Sequence, residues 1–135
     1  VIAVREAPAE HYDWIARRAG LIVLSDFRAI EAVDGDRIVG MVGYDDWTPN
    51  ACSMHVAVDH PVAIRRLLRD AFAMPFAQLG FGVVFGRVLS TNKAALKLDI
   101  HLGFKEVCFL SDAWAVGVGI HVLEMRREEC RWIGR

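Results

Sequence analysis

The sequence predicts an α/β fold of the α+β kind, a mixed sheet with helices packed on its faces. Three observations carry this. Strand-like runs alternate with segments of helical spacing in the order β-α-β-β-β-α-β-α-β-β. Asp34-Gly35-Asp36 lies between two such runs, where a tight hairpin needs a residue that tolerates positive φ. Gly20 and Gly103 each follow a helical segment, and glycine ends a helix in the left-handed conformation at no steric cost. The chain has 135 residues, close to the length of one domain at about 150 residues each. That is enough to bury a core without metals or disulfides.

Each element has its own signal. Val1–Glu6 is rich in β-branched residues and reads as a short strand. Ala7–Ala19 reads as a helix, with Pro8 early and Tyr12, Ile15, Ala16 and Ala19 at helical spacing. Arg28–Val33 and Arg37–Tyr44 are the arms of the hairpin, and polar Asp45–Asn50, with Pro49, is a loop. Ala51–Val58 is the fourth strand. Asp59 or His60 caps the next helix, with Pro61 in its first turn, where a missing N–H costs nothing. That helix carries Ile64, Leu67, Leu68, Ala71 and Phe72 on one face; Pro75 kinks or splits it, and Gly80-Phe81-Gly82 ends it. Val83–Leu89 is a strand and Asn92–Leu102 a helix, and Phe104–Leu110 and Ile120–Arg126 are the last two strands.

Composition narrows the function. Sixteen Lys and Arg against seventeen Asp and Glu leave a net charge of −1, which argues against a long nucleic-acid footprint. Apolar residues make up 54% and charged residues 24%, which excludes a disordered chain. So apolar a chain implies strands buried on both faces, with Trp114, Val116, Val118 and Ile120 left over for contact with a second copy, a homodimer. Cys52, Cys108 and Cys130 are odd in number and lack a CxxC pair, so all three read as buried thiols in a reducing compartment. No apolar stretch is long enough to span a bilayer, and no basic segment leads into an apolar run at the start. A cytoplasmic protein without a membrane partner is expected. His101 and His121 have no partner at metal-ligand spacing, so no metal is expected. Phosphate-loop, nucleophile-elbow and zinc-protease templates all fail.

The most specific segment runs from Asn92 to Glu106: a helix start after Ser90-Thr91, an amphipathic helix, then Leu102-Gly103-Phe104-Lys105-Glu106 entering a strand. It resembles the Asn…Leu-Gly-Phe-x-Glu signature of the GNAT superfamily of N-acetyltransferases, with the spacing from Asn to Gly-Phe intact. The residue-level likeness is concentrated in Ala51–Glu106, while the order of elements fits over nearly the whole chain. The resemblance implies a single acyl-CoA N-acyltransferase-like domain over 1–135. It implies a GNAT-like mixed, mostly antiparallel sheet of six to seven strands flanked by helices. The implied activity is acetyl-CoA-dependent acetylation of a small-molecule or peptide amine by direct attack.

In that family the pantetheine arm of acetyl-CoA pairs with the fourth strand where it splays from the fifth, which places Val56, Ala57 and Val58 at the cofactor. Asn92 holds the arm from the other side. The pyrophosphate sits at the N-terminus of the following helix, where Arg65 and Arg66 are candidate partners. The family's glycine-rich phosphate loop has no counterpart in Val58–Leu67, and Asp59 brings a negative charge there. The acid that protonates the departing thiolate is often a Tyr four residues before the glycine. Asp99 stands at that position and serves as an acid only with a raised pKa.

His55, on the fourth strand, is the candidate base, because imidazole titrates nearest neutrality. Asp45, Asp46 and Trp47 precede that strand and are candidates for a pocket that favours a cationic amine. Two alternatives stand beside the acetyltransferase: a degenerate GNAT-fold module that binds or assembles without catalysis, and an acyltransferase-like enzyme that modifies a nucleobase.

Overall fold

The computed structural model describes residues 1–134. Seven strands form one sheet: β1 (Ile2–Glu6), β2 (Arg28–Asp34), β3 (Arg37–Asp45), β4 (Ala51–Val58), β5 (Val83–Leu89), β6 (Lys105–Ala115) and β7 (Val118–Arg126). Their spatial order is β1-β2-β3-β4-β5-β7-β6, antiparallel throughout except for the β4–β5 pair. The helices are α1 (Tyr12–Ala19), α2 (Pro61–Ala73) and α3 (Lys93–Leu102).

Strand alternation sorts the core into two layers. Val42, Tyr44 and Met54 point to the side where α2 buries Ala63, Leu67, Leu68, Ala71 and Phe72. Leu102 and Phe104, at the end of α3, join that layer, with Phe104 against the ring of Phe72. On the other side Ala29 and Met41 meet Ile15 of α1 and Phe27. Both layers rest on aliphatic and aromatic side chains, each fully buried one contributing about 1.5–3 kcal/mol.

The punctuation follows local chemistry. Gly20 ends α1 at φ +69 and Gly103 ends α3 at φ +117, both left-handed. The β2–β3 turn centres on Gly35-Asp36, with Gly35 at φ +63 in the first central position, where a II′ hairpin takes glycine. The helix expected over Ala7–Ala19 begins as a 3-10 turn at Ala9–His11 and becomes α-helical only at Tyr12. Pro75 lies in a π-helical turn, Met74–Gln78, that follows α2 and keeps Phe76 in the core. No helix among the described residues is long and apolar enough to cross a membrane.

Three expectations are corrected. The final strands are longer than their hydrophobic runs: β6 reaches Ala115 and β7 begins at Val118, so most of what lies between the expected strands Phe104–Leu110 and Ile120–Arg126 is itself strand. Strands are not buried on both faces throughout, because β6 lies at the sheet's edge and is exposed along its whole length. Cys108 is therefore an exposed thiol, whereas Cys52 and Cys130 are buried.

Candidate functional site

The sheet splits where its two parallel strands meet. β4 pairs with β5 only through Ala51↔Val83, Cys52↔Val84 and Ser53↔Phe85. From Met54 onward the β5-facing edge of β4 has no strand partner, while its other edge stays paired with β3 out to Val58. Three cavities follow this split. On one side a cleft of about 370 Å³ is bordered by Val56, Ala57, Val58, Asn92, Ala95 and Arg18. On the other a cavity of about 360 Å³ is bordered by Asp45, Asp46, His55, Arg87, Leu21 and Trp114. A narrow gap joins them: it shares His55 and Arg87 with the second and Val56, Asn92 and Ala95 with the first.

His55 sits at this junction, 5% exposed. Its Nε2 lies 2.8 Å from Oδ1 of Asp45, itself 8% exposed. An ionised carboxylate accepts only, so Nε2 carries the proton and donates it to Asp45. That leaves Nδ1 as the ring's acceptor. Nδ1 has no hydrogen-bond partner, and the residue borders both the second cavity and the gap. Asp45 is thus the last residue of a buried strand, not part of the solvated loop expected.

Asp46 begins that loop at φ +51, a conformation Asp tolerates better than most residues. Its Oδ2 accepts from Ser53 Oγ at 2.9 Å and from Arg87 Nη2 at 2.8 Å. Arg87 also lies 3.7 Å from Asp45, so one guanidinium from β5 ties the end of β3 across the split. Sequence reasoning misses Arg87 because a lone arginine in a strand looks like any outward-facing residue. Trp47 is set apart from the cavity: its Nε1 donates to the Asp26 carbonyl at 2.8 Å and its ring packs beside Tyr44 and Phe81.

Asp99 borders the connecting gap from α3, 7% exposed. Burial pushes its carboxyl up to about 7, because removing water penalises the charged form. Space for it comes from Gly86: a Cβ there would stand 3.3 Å from Asp99 Oδ2. Neither tyrosine takes the acid's place. Tyr44 is buried with its hydroxyl donated to the Ala71 carbonyl at 2.6 Å, and Tyr12 packs edge-on against Phe27. Burial, reinforced by Asp45 and Asp46, raises the Cys52 thiol to about 12, so it is no nucleophile.

The cofactor-side candidates divide. Val56, Ala57, Val58 and Asn92 all border the cleft. Asn92 also caps α3, its Oδ1 accepting from the Ala95 N–H at 3.1 Å. Arg65 and Arg66 are exposed and border neither the cleft nor the gap. At the start of α2 the helix satisfies its own donors: His60 Nδ1 accepts from Val62 N–H, His60 O accepts from Ala63 N–H, and Pro61 has none. Asp59 is not left as a bare charge, because Arg18 of α1 grips both its oxygens at 3.1 Å. Arg18, missed in the sequence, is the cation that borders the cleft. Among the described residues no three His, Cys, Asp or Glu side chains gather as metal ligands would.

No family model matches the chain, and no curated protein matches its sequence significantly. Solved structures do match. A mutant form of the spermidine/spermine N-acetyltransferase SpeG from Vibrio cholerae superposes with a TM-score of 0.74 over 95% of this chain and 96% of its own, at 12% identity. A point variant of the same enzyme gives 0.75 over 94% of each chain, also at 12% identity. The fold is GNAT-like. At this identity the likeness is one of architecture.

Proposed function

We propose that the protein is an acetyl-CoA-dependent N-acetyltransferase acting on a small amine by direct attack. The observation that carries this is the pair of cavities on either side of a gap beside the open edge of β4, where a buried imidazole and a protonatable carboxyl both stand. The cleft beside the open edge of β4 is the place for the arm of acetyl-CoA. The unpartnered edge of β4 offers amide groups as another strand would, and Ile64, Ala95 and Leu98 give an apolar wall. With α2 capped by its own His60, phosphate recognition falls to Arg18 rather than to helix N–H groups. When bound, acetyl-CoA supplies the activated acyl group as a thioester.

The chain's own residues supply positioning and proton transfer. Asp45 and Asp46 favour a cationic amine at the mouth of the acceptor cavity. His55, held through Nε2 by Asp45, takes a proton from the amine at Nδ1. Asp99, protonated in a large fraction near neutral pH, gives a proton to the departing sulfur. Arg87 keeps the mouth of the split in register. The exposed β6 edge is where a second copy would add. A single 1–135 domain suffices for this reading.

The test is release of free CoA thiol on mixing the protein with acetyl-CoA and a panel of primary amines. Amine-dependent release that requires His55 supports the enzyme. Binding of acetyl-CoA without release for any amine supports the non-catalytic module, to which the filled helix cap at α2 lends weight.

A further inference from the structure

Resting on the assignment of the Asp45–His55 cavity to the acceptor, we infer that the acceptor is a monoamine on an apolar, aromatic body, and that Trp114 selects it. The bonded network of the cavity sets two carboxylates against one guanidinium, a balance that suits one ammonium, and the charge of exposed Asp26 is screened by water. Asp45, Asp46, His55 and Arg87 form a single bonded network, and Asp26 is the one further acid of the lining. That excess of carboxylate disfavours an acceptor that carries its own carboxylate. A polyamine would leave ammonium groups against apolar wall, at a desolvation cost.

The wall itself looks like a ligand surface. Ile22 is 68% exposed, Leu24 65% and Trp114 43%, yet all three face this one cavity. Trp114 reaches it through a built irregularity. Leu110 pairs with Ile120 and Ala115 with Val118, so Ser111–Trp114 bulge opposite the single residue Gly119. Asp112 adopts φ +57 in that bulge, and its Oδ1 accepts from the Gly117 N–H at 2.7 Å. Gly119 has to be glycine: a Cβ would meet the Phe109 ring at 2.4 Å and the Leu110 carbonyl at 2.7 Å. Gly119 is in turn tied to Ser90 at the end of β5 by two bonds, Ser90 N–H to its carbonyl at 2.9 Å and its N–H to Ser90 Oγ at 3.0 Å. The bulge is thereby fixed to the strand that supplies Arg87. An indole at the rim of a cavity with an acidic end offers an aromatic body a stacking face and an ammonium a π surface.

Calorimetric titration without acetyl-CoA tests this. 2-Phenylethylamine should bind about tenfold tighter than butylamine or spermidine, and 3-phenylpropionate should not bind. Trp114→Ala should weaken phenylethylamine about tenfold and leave butylamine unchanged. Trp114→Phe should restore most of the loss, and Asp112→Ala, which unpins the bulge, should fall between. Spermidine binding as tightly as phenylethylamine, no binding by any amine, or an unchanged Trp114→Ala variant would each overturn the inference. Binding of phenylethylamine without acetyl transfer would overturn the proposed reaction and leave this inference standing. Transfer that prefers spermidine would do the reverse.

Discussion

The molecule holds two histidine–carboxylate pairs with the same 2.8 Å separation, His11–Glu31 and His55–Asp45. In the first, Glu31 is fully buried and its second oxygen is taken by Arg5 Nε, also at 2.8 Å. Both of its partners reach solvent, His11 at 34% and Arg5 at 56% side-chain exposure. The arrangement closes on itself and pins the start of α1 to β2. In the second pair both members are buried, and cavities flank the histidine on two sides. Geometry of the pair therefore does not mark a site. Burial of the imidazole beside open cavities does.

Substitutions can break or sharpen this contrast. His55→Gln should lower acetyl transfer about 10²–10⁴-fold, the range for losing a positioned base, while His11→Gln leaves transfer intact. Equal losses in both would mean that His55 also acts only through the fold. Asp99→Asn should cost transfer about 10²-fold, at the lower end of that range, and it should also change how stability follows pH. With its carboxyl raised to about 7 in the folded protein, Asp99 is protonated and well tolerated at low pH. Above the ordinary Asp value the unfolded chain loses that proton first, so stability falls until pH passes about 7 and then levels off. The steepest decline is about 1.4 kcal/mol for each tenfold drop in proton concentration. Thermal unfolding at pH 5 and pH 8 should show that decline in the wild type and little of it in Asp99→Asn.

Smaller effects belong to the closed pair. Glu31→Gln should destabilise the fold by about 1–3 kcal/mol by denaturant unfolding, because it weakens two charge-assisted bonds while Arg5 and His11 can rehydrate. It should leave amine and acetyl-CoA binding unchanged; a matching loss of affinity would place Glu31 in the site's support. Arg65→Ala and Arg66→Ala should each change stability by less than about 0.5 kcal/mol and leave acetyl-CoA affinity unaltered. A clear fall in affinity would show that the phosphates lie along α2 and not toward Arg18.

Much of the architecture was legible because it rests on local chemistry. Gly20, Gly103, Pro61 and Asn92 mark their boundaries with residues that do the same work in any helix. Strand limits were less so, since β6 continues through Ser111–Ala115 by pairing with β7 rather than by hydrophobic pattern. In the site, His55, Asp45, Asp46 and Asn92 were readable as residue types beside a recognisable motif. Arg87, Arg18 and the rim role of Trp114 were not, because each becomes informative only through long-range placement. Arg87 meets Asp46 across the split, Arg18 grips Asp59 from another helix, and Trp114 turns inward on a bulge. Trp47 reads differently again: a tryptophan in an acidic loop suggests a ligand, while its indole N–H bonds the Asp26 carbonyl and its ring packs beside Phe81. The raised carboxyl of Asp99 depends on burial, which no single position in a sequence reveals.

Everything proposed for the site depends on the cleft beside the open edge of β4 receiving acetyl-CoA. Calorimetry with acetyl-CoA on the wild type and on Ala95→Phe, which fills the cleft wall, tests it directly. Saturable heat in the wild type, lost in a folded Ala95→Phe variant, is the predicted result. No heat and no thermal shift at millimolar acetyl-CoA, or equal binding by both proteins, would contradict it.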